Sequence, residues 1–103
     1  MTDCLFCKIA SKELDSQVVS ESERVLAFED INPAASTHVL VIPKEHIASA
    51  GELGAEHGEL LAEMFATMGR IASERSLDGG YRIVTNVGAD AGQSVHHLHF
   101  HLI

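Results

Sequence analysis

Three histidines alternate with apolar residues in His97-Leu98-His99-Phe100-His101. In an extended strand side chains alternate between faces, so His97, His99 and His101 share one face. Leu98, Phe100 and Leu102 then point the other way, into a core. Neighbours on one face lie about 6.6 Å apart, so the row is spaced to line a small anionic or metal-bearing site. Such a row serves three purposes: presenting imidazoles to zinc, nucleophilic catalysis by one imidazole with the others orienting it and holding a charged group, or no task at all. The last is the poorest fit, because three polar rings waste half of a strand this apolar.

The residues before the row favour phosphoryl chemistry. Gly88-Ala89-Asp90-Ala91-Gly92-Gln93-Ser94 offers backbone N–H groups, a hydroxyl and an amide, and its glycines let the backbone approach an anion. It is not a P-loop. A neutral imidazole, with its ordinary pKa near 6.5, is a good nucleophile at neutral pH. A second pair of chemically active residues stands at Cys4-Leu5-Phe6-Cys7, two thiols on one helical turn, a weak signal taken alone.

The elements that must position these groups are legible in outline. A short helix is expected over Cys4–Ala10, with Asp3 as its cap. Strands follow at Gln17–Ser20 and Arg24–Glu29, the latter broken by Asp30-Ile31-Asn32-Pro33. Val39-Leu40-Val41-Ile42, stopped by Pro43, reads as a strand buried on both faces. Glycines 51, 54 and 58 mark a loop. From Glu56 to Leu77 the pattern is helical, with Leu60, Leu61, Met64, Phe65, Met68, Ile71 and Ala72 on one stripe and Glu59, Glu63, Thr67, Arg70 and Glu74 largely opposite. Asp78-Gly79-Gly80 ends it, Tyr81–Asn86 is a strand, and Val95–Ile103 is the histidine strand. Without regular strand–helix alternation, the order predicts an α+β domain. It would have a mainly antiparallel five-stranded sheet, one long helix and a short N-terminal helix. Met64 and Met68 belong to a core or a subunit interface.

Composition narrows the partners. The 103 residues fit a single domain spanning 1–103. A formal charge of −8 disfavours nucleic acid and anionic membranes as partners, though not a small nucleotide held by local donors. No apolar run approaches the roughly 20 residues that span a bilayer. The first residues do not read as a secretory signal, and two cysteines do not make a disulfide framework. A cytoplasmic location is expected.

The histidine run resembles the signature of the histidine triad (HIT) family, and its Hint branch in particular. Phe28-Glu29-Asp30-Ile31, Thr37–His46, Gly80–Asn86 and Gly92-Gln93-Ser94-Val95 are similar to Hint segments in order and spacing. The likeness implies a nucleotide hydrolase that cleaves the P–N bond of purine nucleoside 5′-phosphoramidates through a nucleotidyl-histidine intermediate. By that likeness His99 is the nucleophile, His97 orients it through the strand backbone, and His101 lies against the phosphate and assists the leaving group. Ser94 and Gln93 contact the phosphate or leaving group, Asn86 is a polar residue on the phosphate side, Asp30 holds the ribose hydroxyls, Ile31 packs by the base, and His38 packs near the triad. Each also has a plainer reading: Asp30 as a turn former, Asn86 as a strand-end cap, His38 as a buried histidine with one hydrogen bond. His96 is expected to pack off the triad face; His57 is assigned nothing.

The likeness also implies one structural zinc held by Cys4, Cys7, His46 and His97, and a homodimer. Hint-like proteins continue past the position of Leu102-Ile103 with a Gly-Gly-Arg-type turn and a short tail, a segment expected to be absent here. Competing readings are a dinucleoside polyphosphate hydrolase, a nucleotide-binding or scaffolding module with little catalysis, and a triad that is itself a catalytic zinc site. Nucleotidyl transfer to a sugar phosphate fits larger, duplicated relatives better.

Overall fold

The computed structural model describes residues 4–103. Helix α1 (Leu5–Ala10) leads into β1 (Val18–Glu21), β2 (Val25–Glu29) and β3 (Val39–Pro43); the long helix α2 (Gly58–Glu74) follows, then β4 (Ile83–Val84) and β5 (Phe100–Leu102). All five strands pair antiparallel in one sheet of order β1-β2-β3-β5-β4. The expected α+β class and five-stranded sheet are what the chain forms.

The sheet is covered on both faces. Val25, Ala27, Val39 and Val41 pack with Leu98, Phe100 and Leu102 against Leu60, Met64, Met68 and Ile71 of α2. The alternate residues Leu26, Phe28, Leu40 and Ile42 pack against Phe6 and Ile9 of α1. This double burial explains why β3 reads as an unbroken apolar run. Each of these side chains larger than alanine stabilises the fold by about 1.5–3 kcal/mol. Met64 and Met68 are fully buried core residues.

Several boundaries differ from expectation. The position of Asp3, the expected cap of α1, lies outside the described residues; the Cys4 thiol takes that role, accepting the Cys7 N–H at 3.3 Å. Residues 50–57 form two short 3-10 turns rather than an open loop. Helix α2 stops at Glu74, before the glycine pair. Ser76 adopts a left-handed φ of 58°, its N–H donating to the Ser73 carbonyl (3.1 Å) while the Leu77 N–H reaches Ala72 (3.0 Å). These two bonds form a Schellman stop with serine in the place glycine usually takes. Thr67, expected on the wet face, is buried, its hydroxyl donating to the Glu63 carbonyl at 2.9 Å. Phe65, expected on the buried stripe, is 47% exposed.

The histidine strand is much shorter than Val95–Ile103. Val41 faces Phe100, so the same register would set Leu98 opposite Pro43, which has no N–H to give. The Leu98 N–H turns instead to the Ile47 carbonyl (2.6 Å), and the ladder begins at Phe100. The preceding strand contracts likewise, from 81–86 to Ile83–Val84. Side-chain alternation survives: Leu98, Phe100 and Leu102 enter the α2 side, leaving the histidines on the α1 side. Among the described residues no helix is long and apolar enough to cross a membrane.

Candidate functional site

Because His97 and His99 precede the ladder, other bonds fix them. A carbonyl only accepts, so each ring bonded to one must present an N–H to it. His97 Nε2–H donates to the Pro43 carbonyl (2.8 Å), which leaves its Nδ1 as a lone pair. His99 Nδ1–H donates to the His97 carbonyl (2.7 Å), which leaves its Nε2 as the nitrogen with a free lone pair. The His99 carbonyl in turn accepts from the Thr85 hydroxyl at 2.7 Å. The ring of Phe6 meets both histidines edge-on, 6.0 Å from His97 and 5.1 Å from His99.

The same logic fixes the third histidine. His38 Nδ1 accepts from the Ala34 N–H (3.0 Å), so its proton sits on Nε2, which is 2.9 Å from His101 Nδ1 and 3.3 Å from Asp30 Oδ2. His101 then accepts at Nδ1 and carries its own proton on Nε2. Burial pushes His101 below the ordinary histidine value, reinforced by the charges of His99 and His38 and opposed by Asp30. Burial likewise lowers His97. Asp30 also accepts the Asn32 N–H at 2.8 Å, so one carboxylate both shapes the turn and meets the histidine pair.

His99, His101, Ser94, Asp30 and Ile31 border one cavity of about 810 Å³ between α1 and the sheet. Phe6, Ile9, Phe28 and Leu40 give it an apolar wall. Ile31 is 91% exposed at the rim, free to cover a ligand. An apolar slot with a few convergent polar groups is the usual form of a small-molecule site. Two expected contacts are placed elsewhere. Gln93 is buried and spent on backbone: its oxygen accepts from Gly88 N–H (2.8 Å), and its nitrogen donates to the Ala48 (2.8 Å) and Val95 (3.0 Å) carbonyls. It braces a loop in which Gly88 and Gly92 take left-handed φ values of 85° and 87°. Asn86 donates to the Ala91 carbonyl of that loop (2.8 Å) and does not border the cavity. His96 is exposed rather than packed. His57 accepts the Gly54 N–H before α2. Phe6 and Thr85, which seat His99, carried no sequence signal beyond an apolar residue between cysteines and a threonine in a strand.

Cys4, Cys7, His46 and His97, the set that the family likeness implies, come together with their ligand atoms all within 4.8 Å of one another. Cys4 Sγ is 3.3 Å from His97 Nδ1, and Cys7 Sγ is 3.3 Å from His46 Nδ1 and 3.5 Å from His97 Nδ1. A tetrahedral ion with ordinary metal–sulfur and metal–nitrogen bonds has S···N edges of about 3.5 Å. The His97 lone pair, aimed by its bond to Pro43, faces this cluster. Burial, and then the adjacent Cys4 thiol, push Cys7 up to about 11. The donor set of two thiols and two imidazoles fits a small tetrahedral cation.

The comparisons with known proteins agree with this geometry. Residues 3–103 match the family described as "Scavenger mRNA decapping enzyme C-term binding". The chain is similar to a 14 kDa zinc-binding protein of Zea mays, with 46% identity over 96% of this chain and 79% of that one. It is also similar to the purine nucleoside phosphoramidase of Escherichia coli K12, 36% identical over 98% of this chain and 86% of that one. A solved HIT family hydrolase from Clostridium thermocellum superposes with a TM-score of 0.96 at 45% identity, covering 100% of this chain and 90% of that one. With a family match across nearly its whole length, and with His99 and His101 of its alternating histidines bordering one cavity while His97 joins the cysteine cluster, the chain belongs to the histidine triad family.

Proposed function

We propose that this chain is a nucleotide hydrolase that cleaves purine nucleoside 5′-phosphoramidates to the nucleoside monophosphate and an amine. The carrying observation is the unengaged Nε2 lone pair of His99, on a ring fixed by its own Nδ1–H and bordering an apolar slot. In this reading Nε2 attacks the α-phosphorus, a P–Nε2 bond to His99 forms, and the P–N bond to the amine breaks. The leaving nitrogen takes its proton through His101, whose Nε2–H the His38 bond directs into the cavity. An anionic phosphate beside His101 favours its protonated form. Water then attacks the nucleotidyl-histidine, gives up a proton that replaces the one lost, and frees His99. The Ser94 hydroxyl steadies the phosphate from the rim, and Asp30 accepts from the ribose hydroxyls.

Zinc at Cys4, Cys7, His46 and His97 would close a four-ligand shell and leave no open position, so its contribution is to pin α1 to the histidine segment. The resemblance to the E. coli and maize proteins supports the substrate class and the metal respectively. We extend the reading to a cytoplasmic homodimer of single-domain chains. The test follows AMP release from adenosine 5′-phosphoramidate and from diadenosine tetraphosphate, with His99→Ala as control. Rapid release from the phosphoramidate alone, lost in the variant, is expected. Release mainly from the tetraphosphate, or undiminished turnover by His99→Ala, would overturn the assignment.

A further inference from the structure

The cavity extends well beyond the phosphate end, and its far wall has a chemistry of its own. Strand register lays His101 beside Leu40, Leu40 beside Phe28, and Phe28 beside Val18, one row straight across β5, β3, β2 and β1. Three inter-strand steps span about 14 Å. A nucleotide whose phosphate meets His101 therefore lies over Leu40 and Phe28, with the outer edge of its base at the start of β1. There the chain supplies Asp15, Ser16 and Gln17, all bordering the same cavity. The Gln17 carbonyl accepts the Glu29 N–H (3.0 Å), which fastens this segment to the end of β2 beside Asp30. The side chains of Asp15, Ser16 and Gln17 make no hydrogen bond or ion pair among the described residues. Of the other carboxylates bordering the cavity, Glu29 is occupied by Arg75, and Asp30 meets His38 and accepts the Asn32 N–H.

We infer that Asp15, Ser16 and Gln17 read the outer edge of the base and give the site a preference for guanine over adenine. The inference rests on the nucleotide reading above. A carboxylate only accepts. Guanine presents a ring N–H and an amino group side by side, a donor pair that matches the two Asp15 oxygens, and its neighbouring carbonyl oxygen accepts from the Gln17 amide or the Ser16 hydroxyl. Adenine presents one amino group next to a ring nitrogen lone pair, which Asp15 repels. A well-placed bidentate contact of this kind discriminates by about tenfold.

The experiment compares kcat/KM for guanosine, inosine and adenosine 5′-phosphoramidates, with binding of GMP and AMP by calorimetry in parallel. Guanosine is expected about tenfold above adenosine. Inosine, which keeps the ring N–H but lacks the amino group, should fall between them. In Asp15→Ala the guanosine advantage should shrink to within about twofold through a rise in its KM, and the GMP/AMP affinity ratio should fall in step. Asp15 is exposed and has no partner among the described residues, so the variant folds. Equal kcat/KM for the two purines, or a guanosine preference that survives Asp15→Ala, overturns the base-edge assignment and leaves the proposed reaction standing. If the phosphoramidates are not hydrolysed, the mononucleotide affinities decide it alone. If neither nucleotide binds, the proposed function falls, and the base-edge assignment with it.

Discussion

Thr85→Val tests whether bonds outside the sheet ladder position the nucleophile. Valine copies the shape of threonine, so the change removes one interaction, the Thr85 hydroxyl bond to the His99 carbonyl at 2.7 Å. His99 is 5% exposed, so its carbonyl loses a partner where water is scarce. The cost is about 1–2 kcal/mol. For a domain of this size each kcal/mol moves Tm by roughly 4–8 °C. Since the lost bond restrains the residue that carries Nε2, kcat should fall about tenfold while KM stays within a factor of two. Thr67→Val is the matched control: its hydroxyl bond runs to the Glu63 carbonyl on α2, a local helix bond away from the cavity, and kcat should not change. Thermal melts and phosphoramidate kinetics on both variants decide it. A stability loss in Thr85→Val with kcat intact would show that the tether supports the fold alone, and the positioning account would be wrong.

Other outcomes follow from the geometry. Chelation should expose both thiols to a thiol reagent and lower Tm. At free zinc 100 times its Kd the bound ion contributes about 2.7 kcal/mol, roughly 10–20 °C; an unchanged Tm with no zinc by metal analysis would remove the metal site. Phe6→Leu should cost about 1–2 kcal/mol in urea melts through lost edge-on contacts with Phe28 and His99, and should raise KM by thinning the cavity wall. Acid should destabilise the protein in two stages. His101 is held below 6.5, chiefly by burial and then by His99 and His38 against Asp30, so it binds its proton later when folded than when unfolded. Its contribution is full above 6.5 and is lost as pH falls from there. Glu21, lowered from 4.5 to about 2 by its bonds to Lys12 and Lys44, contributes above 4.5 and loses that contribution as pH falls toward 2. In Tm measured against pH, His101→Asn should flatten the first decline and Glu21→Gln the second; unchanged profiles would contradict both assignments.

Strand alternation was legible in the chain, and the helical period of α2 was legible except at Thr67, which is buried, and Phe65, which is half exposed. The alternation at 97–102 assigned each residue to its observed face, and the double burial of β3 followed from four consecutive apolar residues. The donor set Cys4, Cys7, His46 and His97 came from the family likeness, and the fold brings it together. What failed depended on partners distant in sequence. The strand boundary at Phe100 is set by the missing N–H of Pro43, and the buried amide of Gln93 by carbonyls at Ala48 and Val95. Nothing local distinguishes an amide that binds phosphate from one that braces a loop. Helix α2 ends at Glu74, with Ser76 as its left-handed stop although two glycines stand just beyond, because the Schellman bonds close wherever the packed stripe runs out.

The place of β5 in the sheet has a consequence for biosynthesis. This strand follows every other described element in the chain, yet it lies inside the sheet, between β3 and β4. Until it emerges from the ribosome, β3 has an open edge, α2 lacks Phe100 and Leu102 beneath it, and the facing surfaces of the nascent chain stay uncovered. The α2-side core therefore stays incomplete until β5 arrives. That core and the histidine row are completed in a single late event, and in the interval before it the exposed strand edge is the point at which an aggregating chain, or a chaperone, would take hold.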